Sequence, residues 1–251
     1  MSELFLLNEA QMARISPHFP LAHGVPRVDD RRVVSGIIYV IRNGLQWKDA
    51  PTGYGPHKTL YNRFVRWSRL GVFSRIFQSL AAEGPRPERI MIDSTHLKAH
   101  RTAASLVEKG VPARCIGRTK GGLNSKLHAV TDQDGRPIML LLTEGQMSDH
   151  IGAKLLYPHL PEAHTLIGDK GYDSSEFRDA LAAKGIDACI PSRANRKCQI
   201  SCDPDIYRTR SKIEIMFGRL KDWRRIAMRY DRSAHTFFSA ICIAATVIFW
   251  L

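Results

Sequence analysis

The chain has 251 residues, 44% of them hydrophobic, which is enough to bury a core in one large or two small domains and argues against a disordered protein. Its 37 Lys and Arg residues against 24 Asp and Glu residues give a net charge of +13, and this excess predicts a polyanionic partner, nucleic acid rather than a membrane surface. No basic segment followed by an apolar stretch opens the sequence, so secretion is not expected and the cytoplasm is the expected compartment.

Residues 1–85 predict a small all-α domain of the helix-turn-helix type, because apolar positions follow helical spacing and no strand-like alternation occurs. A short helix is expected over Glu9–Ile15. A second, amphipathic helix begins after a pair of aspartates and is ended by Gly44. The basic segment His57–Ala82 predicts two further helices that separate near Gly71.

The first of these two helices carries a basic face that suits contact with a DNA groove or with phosphates. Leu60, Phe64 and Trp67 form its predicted buried stripe. The residues left on the outside are Lys58, Asn62, Arg63, Arg66 and Arg69. A solvated basic face and a dimerisation surface are the alternatives. The polar segment Glu83–Glu88 is expected to link this domain to a second one, residues 86–251.

The second domain is expected to open with an apolar strand, Arg89–Ser94, that ends in Asp93. A carboxylate there would be costly to bury unpaired, so Asp93 is either a turn cap or a metal ligand. The stretch Lys98–Lys126 then predicts a mobile loop that contacts DNA, although a solvated insertion is the alternative. Its basic residues are Lys98, Arg101, Lys109, Arg114, Arg118, Lys120 and Lys126, against the single acid Glu108.

Two strands, Ser125–Thr131 and Arg136–Thr143, are expected to form a hairpin through a turn at 132–135. The elements expected next are a helix over His150–Leu156, a strand over Thr165–Gly168, a helix within 174–185 and a strand over Ile186–Pro191. In the GDKGYD motif, Asp173 precedes Glu176 by three residues and is expected to cap the helix. Asp169 follows its strand without such a local task.

The segment Tyr207–Arg232 predicts a basic helix, capped by Asp203, on which the second domain is centred. At about 100° per residue, one face carries four polar residues: Tyr207, Arg210, Glu214 and Lys221. A neighbouring sector carries the apolar stripe by which the helix would dock on a core: Ile213, Met216, Phe217 and Leu220. Simple pairing of Glu214 with Arg210, four residues earlier, is the alternative to a functional role for this acid.

The C-terminal run Phe237–Leu251 is apolar over 15 residues, shorter than the roughly 20 that a bilayer span needs, and predicts a buried helix. The five cysteines are an odd number and suggest free thiols. Cys198 and Cys202 are spaced like half of a zinc site, but no second Cys or His pair accompanies them, so zinc is not expected.

The spacing Tyr-x2-Arg-x3-Glu-x6-Lys, complete at Tyr207, Arg210, Glu214 and Lys221, resembles the signature of DDE transposases of bacterial insertion sequences. The order of strands and helices likewise resembles the ribonuclease H-like fold, a mixed five-stranded sheet with flanking helices in which the first and fourth strands are neighbours. The resemblance implies that Asp93, Asp169 and Glu214 form a catalytic triad that binds two Mg²⁺ ions, with Mn²⁺ as a substitute. It implies that Tyr207, Arg210 and Lys221 contact the DNA backbone or orient the acid, and the neighbouring basic residues Arg224 and Arg225 are expected to contact DNA as well.

The implied activity is hydrolysis at the ends of a mobile element, which frees 3′-hydroxyls for direct attack on target DNA. The implied partners are double-stranded DNA, as terminal inverted repeats and as target site, and further copies of the chain in a homodimer or larger assembly near the nucleoid. A nuclease on the same fold that stops after hydrolysis is one alternative. A regulator that only binds DNA is another, although clustered acids would add nothing to such binding.

Overall fold

The computed structural model describes residues 4–21, 29–105 and 114–251. Part of the predicted basic loop, including Glu108 and Lys109, therefore lies outside the described residues. The chain forms two compact units: a helical unit, made of Met1–Leu80, His100–Arg114 and Leu220–Leu251, and a sheet unit, made of Ala81–Ala99 and Cys115–Arg219. The C-terminal segment thus belongs with the N-terminal helices, whereas a division of the chain into domains at residue 85 stays a prediction.

The helices and strands follow the predicted order closely. The helices are α1 (Glu9–Ile15), α2 (Asp30–Asn43), α3 (His57–Arg69), α4 (Val72–Ala82), α5 (Arg101–Ala104), α6 (Asp149–Leu156), α7 (Ser175–Ala183), α8 (Pro204–Arg208), α9 (Ser211–Lys221), α10 (Arg224–Ala227) and α11 (Ala234–Phe249). The strands are β1 (Arg89–Ala99), β2 (Gly117–Thr119), β3 (Gly122–Thr131), β4 (Pro137–Glu144), β5 (Thr165–Gly168), β6 (Asp187–Cys189) and β7 (Met228–Arg229).

Local signals set the boundaries of the helices in the helical unit. The Asp29 side chain accepts hydrogen bonds from the first amides of α2, and Gly44 ends that helix with a φ of 71°, which glycine adopts without strain. Gly71, with a φ of 66°, separates α3 from α4 as predicted. The buried stripe of α3 is also confirmed, since Leu60, Phe64 and Trp67 are all buried.

The C-terminal helix α11 completes the core of the helical unit by packing against α2 and α3. Residues along most of its length, from Thr236 to Thr246, are largely buried, which confirms the predicted buried helix. Within the described residues, no helix is long and apolar enough to cross a membrane.

The sheet unit is built on one mixed sheet, whose strands in this unit run in the order β2-β3-β1-β5-β6, with β4 also paired to β3. β3 is antiparallel to both β1 and β4, while β5 is parallel to both β1 and β6. The five predicted strands are therefore all present, and the first and fourth of them, β1 and β5, are neighbours as expected. β1 is longer than predicted, because its second half continues to pair with β3 as far as Lys98.

The single helix predicted over Tyr207–Arg232 is wrong. The segment divides into α8, α9, α10 and β7, because tight three-residue turns interrupt it: the Arg210 amide donates to the Tyr207 carbonyl at 3.0 Å. Tyr207 consequently lies on a different helix from Glu214. The apolar stripe of α9 is confirmed, and its buried members are Ile213, Met216, Phe217 and Leu220.

Candidate active site

The pairing of β1 with β5 places two predicted acids side by side: Asp93 lies within β1, which does not end there as predicted, and Asp169 comes directly after β5. The two parallel strands are in register, with Arg89 opposite Thr165 and Ile92 opposite Gly168. The residue that follows this paired stretch is an aspartate in both segments, Asp93 in one and Asp169 in the other. Strands in a sheet lie about 4.8 Å apart. The two carboxylates therefore start from neighbouring positions, which the linear sequence separates by more than a helix and two strands.

Asp169 does have a local structural task, contrary to the sequence prediction. Its Oδ1 accepts a hydrogen bond from the Gly171 amide at 2.8 Å and caps the short 3₁₀ turn Lys170–Tyr172. A Cβ on Gly171 would lie 2.7 Å from this oxygen, so glycine is needed there. The cap occupies Oδ1 and orients the carboxylate on the strand edge.

The predicted capping role of Asp173 is also wrong. Ser174 caps α7, with its hydroxyl accepting from the Phe177 amide. The Asp173 carboxylate is buried and instead binds three arginines: it accepts from the Arg178 Nε at 2.9 Å, from the Arg196 Nη1 at 2.8 Å and from the Arg193 amide at 2.9 Å. It therefore has a structural role, in holding the segment after β6 to the start of α7.

Glu214 is placed by α9, which is attached to the β3–β4 turn as well as to the core. The Lys212 ammonium donates to the Gln133 carbonyl of this turn at 2.7 Å. A Cβ on Gly135 would lie 3.0 Å from the Lys212 carbonyl oxygen, so the glycine permits a close approach of turn and helix. The exposed Glu214 side chain projects from the side of α9 that adjoins its buried stripe.

Arg210 joins two of the three acids. Its guanidinium donates to the Asp93 Oδ2 at 2.9 Å and also contacts the Glu214 carboxylate, and it lies 5.8 Å from the centre of the Tyr207 ring. The local pairing of Arg210 with Glu214, left open as an alternative, is therefore present, but it is one half of a bridge to Asp93. Burial acts to lower the pKa of Arg210, but the charges of Asp93 and Glu214 outweigh it and raise that pKa.

The other two acids, Asp169 and Glu214, both act on the charge of Asp93. Burial is the main cause that raises the pKa of Asp93 from 3.8 to about 6; the charges of Asp169 and Glu214 raise it further, while the Ser94 amide and Arg210 oppose the rise. Among residues 4–21, 29–105 and 114–251, no three His, Cys, Asp or Glu side chains lie close enough together to hold one metal ion. The donor chemistry nevertheless suits a hard cation such as Mg²⁺, since the three groups are carboxylates whose mutual repulsion Arg210 offsets only in part.

A buried polar layer that the sequence did not reveal lies on the other face of β1. The Asp149 carboxylate, at the start of α6, accepts from the Ser94 hydroxyl at 2.5 Å and from the Lys126 ammonium at 3.0 Å. Burial acts to raise the pKa of Asp149, but these bonds and the charge of Lys126 outweigh it and hold that pKa below its usual range. Lys126, predicted as a DNA contact, is thus buried and paired within the protein. The only sequence signal for this layer is alternation, which places Ser94 and Asp93 on opposite faces of β1.

His128 extends this layer. It lies opposite Ser94 on β3, it is fully buried, and its ring fills the space that Gly152 of α6 leaves open, where a Cβ would lie 2.2 Å from the ring Nδ1. Burial and the neighbouring charge of Lys126 lower the pKa of His128 to about 4, so the ring is neutral at physiological pH.

The predicted DNA-contacting face of α3 is present with one exception. Lys58, Asn62 and Arg66 are exposed. Arg63 is not directed outward as predicted: it lies 3.6 Å from the Asp30 carboxylate and 5.5 Å from the centre of the Trp67 ring, so it helps to join α3 to α2.

The remaining basic residues divide into exposed and internally bound ones. Those exposed to solvent are Arg101, Arg118, Lys120 and Arg224. Arg225 is buried, contrary to the prediction of a DNA contact: it donates to the Leu45 carbonyl at 2.9 Å and pairs with Asp231 at 3.3 Å. Lys221 is half-buried, and burial lowers its pKa.

The cysteines do not form the pair that their spacing suggested. Cys202 lies beside Cys189, at the end of β6, with 2.6 Å between the two sulfur atoms, whereas Cys198 is exposed. All five cysteines are free thiols, as predicted.

Two family models match the chain. One, described as "Putative transposase of IS4/5 family", covers residues 7–77, and the other, "Transposase DDE domain", covers residues 84–249. A Brucella ovis protein named "Putative transposase for insertion sequence element IS6501" is 32% identical over 131 residues, which are 51% of this chain and 99% of that protein. A Burkholderia cepacia protein, "Putative transposase for insertion sequence element IS402", is 28% identical over 159 residues, 56% of this chain and 73% of that protein.

Among solved structures, the chain is similar to a piggyBac transposase in a synaptic complex with hairpin DNA, with a TM-score of 0.57 at 8% identity over 94% of this chain and 69% of that one. At this identity the likeness concerns the fold, and it agrees with the ribonuclease H-like arrangement of the sheet unit. Since one family model alone spans residues 84–249 and the Brucella relative is matched over almost its full length, this chain belongs to the DDE transposases of IS4/5-type insertion sequences.

Proposed function

We propose that this transposase binds the terminal inverted repeats of its insertion sequence, cleaves the DNA ends to free 3′-hydroxyls and joins them to target DNA. The observation that carries the proposal is the arrangement of the three acids: Asp93 and Asp169 follow paired positions of β1 and β5, Arg210 joins Asp93 to Glu214, and burial and the neighbouring charges raise the pKa of Asp93. A buried acid held beside two others is unfavourable for folding alone, and such perturbed groups are typical of functional sites.

Asp93, Asp169 and Glu214 would hold two Mg²⁺ ions, for which Mn²⁺ can substitute, because hard divalent cations prefer carboxylate oxygens. When bound, such ions activate the attacking oxygen and stabilise the leaving oxygen of an in-line displacement. Arg210 bridges Asp93 and Glu214. We expect its guanidinium to exchange these carboxylates for a DNA phosphate, since both anions accept the same pair of parallel hydrogen bonds.

The two chemical steps use one site. In the first, a water oxygen attacks the phosphorus at the element end, and the DNA 3′-oxygen leaves with a proton as a hydroxyl. In the second, this 3′-hydroxyl attacks a phosphodiester of the target, whose own 3′-oxygen leaves. Each step exchanges one P–O bond for another, so no external energy source is required, and positioning of the phosphodiester supplies a large part of the rate.

Recognition of the element ends is assigned to the exposed face of α3. Asn62 is the candidate base reader, because its amide can pair with adenine in the major groove, and Lys58 and Arg66 flank it for phosphate contact. Replacing Lys58 should weaken binding to all duplexes similarly and flatten the salt dependence by about one unit, whereas Asn62→Ala should relax specificity at one base pair. A full-length Asn62→Ala protein with unchanged preference for the element ends over random DNA would remove α3 from this role.

Further phosphate contacts are proposed for the exposed cations Arg101, Arg118, Lys120 and Arg224, and for Lys221 and Tyr207 of the signature. A homodimer or larger assembly on the DNA is proposed because two element ends must be joined together to one target. We place the reaction in the bacterial cytoplasm, where nucleoid DNA lies.

The catalytic assignment is tested with a linear duplex that carries one element end, identified as inverted repeats bounded by short direct repeats in the DNA flanking the gene. Asp93→Asn, Asp169→Asn and Glu214→Gln should each abolish cleavage in Mg²⁺ and leave duplex binding nearly unchanged. Glu176→Gln, on the exposed surface of α7 at a side chain 72% exposed, is the matched control and should cleave normally. Wild-type cleavage by any of the three variants would exclude that residue as a ligand.

Strand transfer is assayed separately, by incubating pre-cleaved ends with a supercoiled plasmid. Joined products are expected from the wild-type protein in Mg²⁺ or Mn²⁺. Cleavage without joining would identify a nuclease that stops after hydrolysis, and binding without either reaction would identify a regulator.

A further inference from the structure

A groove of about 370 Å³ lies in the helical unit, whereas the three acids belong to the sheet unit. One wall is formed by three residues of α3: Tyr61, Val65 and Arg69. Their spacing of four residues places them in a row on one side of the helix. The other wall is the segment from Tyr230 to Thr236. The volume falls within the roughly 300 to 1,000 Å³ typical of sites for small organic groups.

The groove collects the aromatic residues that the fold leaves in solvent. Among the described residues, Tyr61 and Tyr230 are the aromatic side chains classed as exposed, at 46% and 44%, and both line this groove. Trp47 lies between Tyr61 and the buried Phe64, with its ring centre 5.6 Å from that of Tyr61 and 5.1 Å from that of Phe64. Exposed rings contribute little to a core, so their concentration at one groove indicates a ligand with a flat, apolar surface.

The same groove is positively charged. Three arginines line it, Arg69, Arg225 and Arg232, against one acid, Asp231. Asp231 is already bound by Arg225 at 3.3 Å. In the described part of the chain, neither Arg69 nor Arg232 forms an ion pair, and both are exposed. These two arginines are therefore available to bind an anion from outside the protein.

We propose that this groove binds an unpaired nucleotide of single-stranded DNA, with the base stacked on Tyr61 or Tyr230 and its phosphates bound by Arg69 and Arg232. The inference rests on the proposed function, since it assigns a DNA segment to a DNA-processing enzyme. Aromatic faces combined with cations bind single strands because every base has a face for stacking and every link carries a phosphate. In a duplex these base faces are already stacked on one another.

The position of the groove on α3 supports this ligand. The row Tyr61–Val65–Arg69 is adjacent to the row Lys58–Asn62–Arg66, which we assign to duplex contact. A DNA end bound along the second row would therefore bring its unpaired nucleotides next to the first. One helix would then contact both the duplex and the single strand that leaves it.

The test uses the full-length protein with a fluorescein-labelled thymidine 12-mer and a mixed-sequence duplex of equal length, followed by anisotropy. Tyr61→Ala and Tyr230→Ala should each weaken binding of the single strand by about 5- to 150-fold, the range that loss of one base stack implies. Duplex binding should stay within about twofold. Tyr61→Phe should bind like the wild type, because stacking needs the ring and not the hydroxyl. Leu70→Ala, at an exposed apolar side chain of similar exposure, is the matched control and should change neither affinity.

Salt dependence separates the arginines from the rings. Arg69→Gln should reduce the slope of log affinity against log salt for the single strand by about 0.7, the value for one phosphate contact, while Tyr61→Ala should leave the slope unchanged. Equal losses for single strand and duplex in the tyrosine variants, or no loss for either, would overturn the proposal. Competition by a poly-glutamate peptide as strong as that by the 12-mer would overturn it too, because it would show a general site for acidic chains.

Failure of the single-strand binding proposal can be told apart from failure of the proposed transposase function. A wild-type protein that cleaves and joins element ends but does not bind the 12-mer would refute the groove and leave the transposase mechanism intact. A protein that binds the 12-mer through Tyr61 and Tyr230 but never cleaves element ends would retain the groove and refute the catalytic proposal.

Discussion

Replacing Asp93 with asparagine should abolish catalysis and yet stabilise the metal-free protein. A rise of the pKa of Asp93 from 3.8 to about 6 corresponds to about 3 kcal/mol of unfavourable free energy for the charged carboxylate in the folded state. Because the folded pKa of Asp93 lies above its unfolded one, the contribution of Asp93 to stability is most favourable below pH 4, where the group is protonated, and is lost as the pH rises through 6. The neutral amide of the Asp93→Asn variant would avoid this loss but would give up the ion pair with Arg210, so we expect a gain of about 1 to 3 kcal/mol at pH 8.

The assay is urea unfolding of the full-length protein in EDTA, at pH 8 and at pH 4. Asp93→Asn should raise the midpoint at pH 8, and the difference should vanish at pH 4. Asp173→Asn is a matched control of opposite sign: burial acts to raise the pKa of Asp173, but the Arg193 amide, Arg178 and Arg196 outweigh it and lower that pKa. The Asp173→Asn variant should therefore unfold at a lower urea concentration than the wild type at pH 8. Wild-type or lower stability of Asp93→Asn at pH 8, with Asp173→Asn behaving as stated, would refute the reasoning about Asp93.

Three further changes test other parts of the structure. Asp149→Ala should lower the free energy of unfolding by about 1 to 3 kcal/mol because it removes the counter-charge of the buried Lys126, less than for a fully buried pair since the Asp149 side chain is 34% exposed. Asp149→Leu combined with Lys126→Met should recover most of this loss, and equal losses in both proteins would contradict a stabilising ion pair. Gly152→Ala should cost about 1 to 3 kcal/mol, measured by thermal unfolding, because the new methyl would meet the His128 ring, and a neutral effect would mean that the ring can move. Lys221→Ala should weaken cleavage through substrate placement and leave its dependence on Mg²⁺ unchanged, while Lys221→Arg should retain partial activity; full rescue of Lys221→Ala by extra metal would instead assign Lys221 to the metal site.

Features set by local chemistry were predictable from the sequence. The cap at Asp29 and the left-handed glycine at Gly44 bound α2 as expected, because their effects act within one turn of backbone. The alternating and helical periods also predicted the succession of strands and helices along the chain, since they depend on near neighbours, whereas the pairing of β1 with β5 was implied only by the resemblance to the ribonuclease H-like fold. Asp93 and Glu214 are conspicuous acids in apolar and basic surroundings, but it was the resemblance to DDE transposases that selected them, together with Asp169, as a triad.

Only the tertiary structure decided what each charged side chain is bound to. Arg210 could be paired with Glu214 from spacing alone, but its second partner, Asp93, lies 117 residues earlier. The sequence predicts surface positions for Arg63 and Lys126, but the structure pairs them with the carboxylates of Asp30 and Asp149. The groove at Tyr61 likewise depends on a segment almost 170 residues away. The reason is physical: helical and strand periods arise from bonds between near neighbours, whereas the partner of a buried charge or the second wall of a groove is set by packing between segments that the sequence does not order in space.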